Sequence, residues 1–229
     1  MRYHRGITIL KVGDELPNPR FGPTDEPVAI GSELSPTLML TGYRKGLFAW
    51  SANPVTWWSP DPRAIIPLDK LRISKRLARK IKTRPFEIKI DCAFSAVVAG
   101  CAQPRHAGDG VWISRPFRRA FAGLHELGHA HSVECWLNEK LVGGIFGVAV
   151  NGLFSAESMF HTATDASKVA LFVLVETLRA NNFQLLDIQI LTPHTASLGA
   201  HEISRLEYLN RLERALQAQT SWNVLSRSE

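Results

Sequence analysis

Two polar residues spaced one apart in an apolar strand are the first chemistry in this 229-residue chain. In Leu185-Leu-Asp187-Ile-Gln189-Ile-Leu191 the period of two puts Asp187 and Gln189 on one face and Leu186, Ile188 and Ile190 on the other. Helical patterns lie on both sides of the segment, which places it inside a sheet. A carboxylate there costs several kcal/mol unless it is hydrogen-bonded or open to a cleft. Glu157 repeats the anomaly among Phe154, Met159 and Phe160. Three such groups on strands of a shared sheet form a site that can orient a nucleophile and manage its proton.

Two other motifs are more conspicuous. His125-Glu126-Leu-Gly-His129 satisfies HExxH, in which two histidines one helical turn apart hold zinc and the glutamate activates water. A zinc peptidase built on His125, Glu126 and His129 is therefore an alternative function. Against it, Gly128 stops the helix before the second histidine, and Ala130 to Trp136 has strand character. Arg105-His-Ala-Gly108-Asp-Gly110 fits the loop with which N-acetyltransferases cradle the coenzyme A pyrophosphate. Such a loop must open a helix. Here a helix precedes it and a strand, Val111 to Ser114, follows, so it reads as an ordinary glycine-rich turn.

The elements that must position these residues follow from pattern. Residues 11–67 are rich in proline, glycine and tryptophan, with one helix from Ser35 to Lys45, and read as a small irregular N-terminal domain. The boundary falls at 66, leaving 67–229 as the second domain. Ile73, Leu77 and Ile81 recur every four residues, so its first element is a helix from about Ser74 with a narrow apolar stripe. In residues 70–84 eight of fifteen positions are Lys or Arg, and this broad basic face suits phosphate contact. Beyond Pro85 come a strand at 87–90, helices at 93–103 and 116–127, and a meander of strands at 131–137, 141–150 and 153–159. A long helix at 166–181, the Asp187 strand and a last helix from Ser204, where Ser204 and Glu207 form a capping box, complete the chain. The fold class is α+β, with a mostly antiparallel central sheet flanked by helices.

Composition excludes several classes. Apolar residues are 45% and charged residues 21%, which is ordinary globular protein, and the net charge of +6 allows an anionic partner. Cys92, Cys101 and Cys135 lie too far apart for a structural zinc site, and their small number fits a reducing cytoplasm. No segment has the length of a membrane span or the character of a signal peptide. We therefore expect a cytoplasmic protein with no membrane partner; that it is a monomer is an expectation that composition does not supply.

The ordered blocks of the chain resemble the bacterial leucyl/phenylalanyl-tRNA–protein transferases. They are Leu34-Ser-Pro36, Tyr43-Arg-Lys-Gly46, Trp57-Trp-Ser-Pro-Asp-Pro-Arg63, Trp112-Ile113, His129-Ala-His-Ser-Val-Glu134, Leu141-Val-Gly-Gly144, Glu157-Ser-Met-Phe160, Ala166-Ser-Lys168, Asp187 with Gln189, and His194-Thr-Ala-Ser-Leu-Gly-Ala200. Gly31-Ser32-Glu33, Ala49 and Asp165 depart from the usual residues, as does Ala156, which stands where the family has glycine. The resemblance implies an N-acetyltransferase-like second domain without coenzyme A. It implies transfer of Leu, Phe or Met from aminoacyl-tRNA to proteins with N-terminal Arg or Lys, marking them for degradation, and it calls for no cofactor and no metal.

Residue roles follow from that resemblance. Gln189 would align the attacking amine, Asp187 would orient and polarise Gln189, and Glu157 would offer negative charge to the acceptor, with Ser158 donating nearby. Ile145, Phe154 and Met159 would form the aminoacyl pocket. Trp50 and Trp112 would stack on the terminal adenosine, whereas Trp57 and Trp58 serve packing. Lys75, Arg76, Arg79, Lys80 and Lys82 would meet tRNA phosphates. A third function, a tRNA- or degron-binding module without catalysis, stays open beside the peptidase.

Overall fold

The computed structural model describes residues 2–4, 6–104 and 112–222. The proline-rich first third holds more strand than its composition suggests. Strands β1 (Arg2–His4), β2 (Ile7–Leu10), β3 (Ala29–Gly31), β4 (Phe48–Ala52) and β5 (Val55–Trp58) form a five-stranded sheet in the order β1-β2-β3-β5-β4. Helix α1 (Pro36–Lys45) packs on it. Ser35 caps α1 by accepting from the Leu38 amide, and Gly46 ends it at φ +81°. The left-handed φ is what calls for glycine here; an added Cβ would press closest on the tip of the Leu209 side chain, at 2.6 Å, which can shift.

The larger sheet has seven strands in the order β12-β6-β11-β10-β9-β8-β7. They are β6 (Arg63–Ile65), β7 (Glu87–Ile90), β8 (Ala130–Leu137), β9 (Lys140–Val150), β10 (Leu153–His161), β11 (Leu185–Gln189) and β12 (His201–Ile203). Among the described residues of this sheet, β10 pairs with β11 in parallel and the other pairings are antiparallel. Thus β11 lies inside the sheet, between β6 and β10, as its flanking helices imply.

Helices cover both faces. Helix α5 (Ala166–Ala180) lies on one face with α2 (Lys75–Thr83) beside it, and Leu77, Leu171, Leu174, Leu186 and Phe154 share that core. Helices α3 (Phe94–Cys101), α4 (Arg115–Glu126), α1 and α7 (Arg205–Gln217) pack on the other, where Leu185 and Leu153 point. Consecutive residues Leu185 and Leu186 thus enter opposite cores, the alternation expected of a buried strand. A short helix, α6 (Pro193–Ser197), follows β11.

Two local expectations need adjustment. Residues 112–114 form no strand, and Val111 lies outside the described residues, as does the glycine-rich segment 105–110. Ser204 caps α7 through the Glu207 amide, but the Glu207 carboxylate turns to Arg211, so only half of the capping box forms. The packing role expected of Trp57 and Trp58 holds: Trp57 is fully buried, and Trp58, partly buried, packs against the same core and lies 5.2 Å from Trp50.

Candidate active site

The site opens where two parallel strands part. β10 and β11 pair from Leu153↔Leu185 to Ser155↔Asp187. Beyond that point β10 runs on to His161 paired only with β9, while β11 ends at Gln189. Irregularities between Ala156 and Ser158 and between Asp187 and Gln189 break both registers at the same level. Gln189 adopts φ +63°, a left-handed conformation that costs a non-glycine residue energy and must be held by its surroundings.

A cavity of about 350 Å3 fills the fork. Ile66, Ile145, Met159, Leu171 and Leu198 give it an apolar lining, and Ala156, Glu157, Ser158 and Gln189 come from the parting strands. Trp50, which is 41% exposed, and Trp112 border it and also border an adjoining space of about 140 Å3 with Glu157 and Gln189. Trp112 is held edge-on against Phe117 at 5.3 Å. His194, Thr192 and Thr195 complete the rim.

The polar wall is a closed set of hydrogen bonds. Gln189 Nε2 donates to Ser155 Oγ (3.0 Å) and to Glu157 Oε1 (2.9 Å). Ser155 Oγ and Tyr43 Oη donate to the same Glu157 oxygen, at 3.2 and 3.0 Å. Burial pushes the Glu157 carboxyl up to about 7, with Asp187 adding repulsion and the three donors pulling it back. Burial and the neighbouring Glu157 push the Tyr43 phenol well above its ordinary range, so Tyr43 acts as a donor.

Behind this wall lies a second cluster. Arg63 Nε and Nη2 clasp Asp187 Oδ1 and Oδ2 at 2.9 and 2.6 Å, and Tyr208 Oη donates to Oδ2 at 2.9 Å. Arg63 also reaches the Gly46 carbonyl and lies over the Phe48 and Tyr208 rings, at 4.8 and 4.5 Å. Burial works against the guanidinium charge, yet Asp187 and its hydrogen bonds outweigh it and hold the charge in place.

This geometry corrects the relay expected from sequence. Asp187 does not polarise the Gln189 carboxamide directly. Its Oδ1 accepts the Gln189 backbone N–H at 2.9 Å, while the side chain swings toward β10. The irregularity and the left-handed turn at Gln189 cause the difference. Phe154 is a second correction. It is 1% exposed, stacks on Trp222 at 5.6 Å and packs on Phe183, away from the fork. Its neighbour Ser155 takes the site-facing position because alternate strand residues face opposite sides.

The structure does bring Trp50, Trp112, Ile145, Ser158, Met159, Glu157 and Gln189 to one cavity. Sequence reasoning misses His194 on its rim, Tyr43 and Ser155 bonded to Glu157 of its polar wall, and Arg63 and Tyr208 behind them. Tyr43, Arg63 and His194 sit in the resembling blocks but gain meaning only from contact; Ser155 and Tyr208 carry no signal at all.

The basic residues lie apart, on α2. Lys75, Arg79 and Lys82 are exposed. Arg76 reaches Asp165 at 3.1 Å and Lys80 donates to the Thr164 carbonyl, tying α2 to the loop that follows β10. The HExxH residues do not converge. α4 ends at Glu126, Gly128 turns the chain at φ +74°, His125 stacks on Phe94 and bonds the Ala130 carbonyl, and His129 bonds the Ala149 carbonyl.

Comparison with known proteins shows which family the chain resembles along its length. A family model described as leucyl/phenylalanyl-tRNA protein transferase matches residues 65–213, and the model of that family's N-terminal domain matches 32–61. A protein named leucyl/phenylalanyl-tRNA–protein transferase from Shewanella woodyi is 40% identical over 220 residues, 94% of this chain and 93% of its own. A protein of the same name from an Azoarcus strain is 46% identical over 189 residues, 82% and 80% of the two chains. Likeness to solved structures is loose: a Brucella ribosomal-protein-alanine N-acetyltransferase aligns at TM-score 0.34 and 14% identity, over 63% of this chain and 99% of that one. With its matching segments running through both sheets, the chain belongs to the leucyl/phenylalanyl-tRNA–protein transferase family.

Proposed function

We propose that this protein moves Leu or Phe, and Met as a third donor, from aminoacyl-tRNA to the α-amine of proteins that begin with Arg or Lys. The observation that carries the reading is the fork: an apolar cavity with two tryptophans at its border and an oriented carboxamide on its wall. The aminoacyl side chain enters among Ile145, Met159 and Leu171, and the methionine adapts to branched and aromatic shapes alike. A cavity of this size rejects much larger side chains, and β-branched ones fit it poorly. Trp50 and Trp112 offer faces to the terminal adenosine, as unpaired RNA bases require.

The ester is already activated, so positioning supplies much of the rate. The acceptor nitrogen attacks the ester carbonyl, the new C–N bond forms, and the bond to the ribose oxygen breaks. That oxygen leaves with the proton the amine gives up. Gln189 accepts a hydrogen bond from the amine and aligns its lone pair; an amide oxygen is too weak a base to keep the proton. Asp187 holds the turn that aims Gln189. The exposed cations of α2 contact tRNA phosphates, and the protein works as a monomer in the cytoplasm, where charged tRNA is found. The product is a protein with a new N-terminal degradation signal.

The test supplies radiolabelled Leu-tRNA and a peptide with N-terminal Arg, with chelator present. Label in the peptide is expected with wild type and strong loss with Gln189→Ala. Label that requires added zinc, or cleavage of the peptide instead, favours the peptidase. Binding of tRNA without label transfer leaves a binding module.

A further inference from the structure

The Gln189 carboxamide is held in one orientation by partners that have no assigned part in the reaction. Both Nε2 hydrogens are committed, one to Ser155 Oγ and one to Glu157 Oε1. Its carbonyl oxygen is then the polar atom left to the cavity that Gln189 lines. Turning the amide over would press that oxygen against the Glu157 carboxylate, acceptor against acceptor. Glu157 Oε1 in turn takes three donors, Tyr43, Ser155 and Gln189, arriving from α1, β10 and β11. Tyr43 is 3% exposed, and its aromatic body is fixed in the core between the two sheets.

We infer that Tyr43 and Ser155 are positioning residues for aminoacyl transfer: together with Glu157 they lock the Gln189 amide with its carbonyl oxygen toward the attacking amine. The inference rests on Gln189 being the group that meets that amine. Its strength depends on the Glu157 charge, because bonds to an ionised acceptor are about twice as strong as neutral ones. The groups facing that carboxylate are Tyr43 from α1, Asp187 from β11 and, farther back, Arg63 from β6. The Tyr43 hydrogen bond favours the ionised form, so removing it moves the Glu157 titration upward from about 7.

The test compares wild type, Tyr43→Phe and Ser155→Ala in transfer from saturating Leu-tRNA to a saturating Arg peptide, between about pH 6 and 9. The acceptor amine titrates in the same range but equally for all three proteins, so it cancels in the ratio of wild-type to variant rate. For Tyr43→Phe we expect kcat about tenfold lower near pH 7, an unchanged KM for Leu-tRNA, and a ratio that grows as pH falls. Ser155→Ala leaves one Gln189 hydrogen unpaired and should lose kcat in the same way. Melting curves verify folding; should Tyr43→Phe fail to fold, Ser155→Ala carries the test. Rates within twofold of wild type, or a ratio flat with pH alongside a lowered Tm, overturn the inference and leave a packing role. Wild type that transfers nothing at any pH overturns the aminoacyl-transfer reading itself, and the inference with it.

Discussion

Asp187 and Glu157 stand on adjacent strands of one sheet, on either side of the level where those strands part, and their company is opposite. Asp187 is completely buried and clasped by the Arg63 guanidinium through both oxygens, with Tyr208 and a backbone amide as further donors. Glu157 lies in the opening fork, bonded to neutral donors only, and burial lifts it to about 7. A buried acid with a fixed counter-ion serves as a strut. One held by hydroxyls and an amide stays able to change charge in the working range of pH, and that is what active sites require of a carboxyl.

Breaking the strut should give the largest effect. Asp187→Ala leaves the Arg63 charge buried without its partner, which costs about 3–5 kcal/mol and lowers Tm by about 10 °C. Thermal unfolding checks this, and transfer activity should vanish with it as Gln189 loses the anchor of its turn. A loss below about 1 kcal/mol would show that Arg63 and Asp187 are not the strut described.

Glu157→Gln sharpens the other side of the comparison. A carboxyl whose folded pKa is raised stabilises the protein while it is protonated, below its unfolded value near 4.5, and loses that contribution as pH rises through about 7. Glutamine imitates the protonated form at every pH. The variant should therefore match wild type near pH 5 and exceed it by about 1–2 kcal/mol near pH 8, while kcat falls about tenfold or more. Stability gained where activity is lost marks a residue kept for function. Melting curves at the two pH values decide it; a variant less stable than wild type near pH 8 would place Glu157 with Asp187 as a second strut.

The sequence exposes one half of this contrast better than the other. The polar alternation at Asp187 and the acid among Phe154, Met159 and Phe160 mark the site, because a polar residue at an apolar period needs a reason. The same alternation picks out β11 as an inner strand. What it cannot carry is the irregularity at Ile188. Period two is blind to one displaced residue, and that displacement sends Asp187 to the Gln189 backbone and the Gln189 side chain to β10. Phe154 fails for a related reason: apolar character does not tell a residue lining a cavity from one filling a core. Arg63 and Tyr43 come from segments 124 and 114 residues away from their partners, and no local pattern encodes such contacts.

The division between committed and responsive charge extends to α2, where the smallest effect is expected. Arg76 and Lys80 reach Asp165 and the Thr164 carbonyl, and Lys80 also lies over the Phe86 ring at 5.3 Å, so part of their charge braces the helix against the loop after β10. Lys75, Arg79 and Lys82 face solvent. Reversing those three should leave Tm nearly unchanged, because exposed charges contribute little to folding. It should raise KM for Leu-tRNA and flatten its salt dependence by about 2–3 in log–log slope, one counter-ion for each lost phosphate contact. Turnover on a minimal aminoacyl-adenosine donor, which carries no tRNA body, should not change. Equal loss with both donors would mean that α2 acts on the fork through the 164–165 loop rather than on the nucleic acid, and its exposed charges would then join the bracing set.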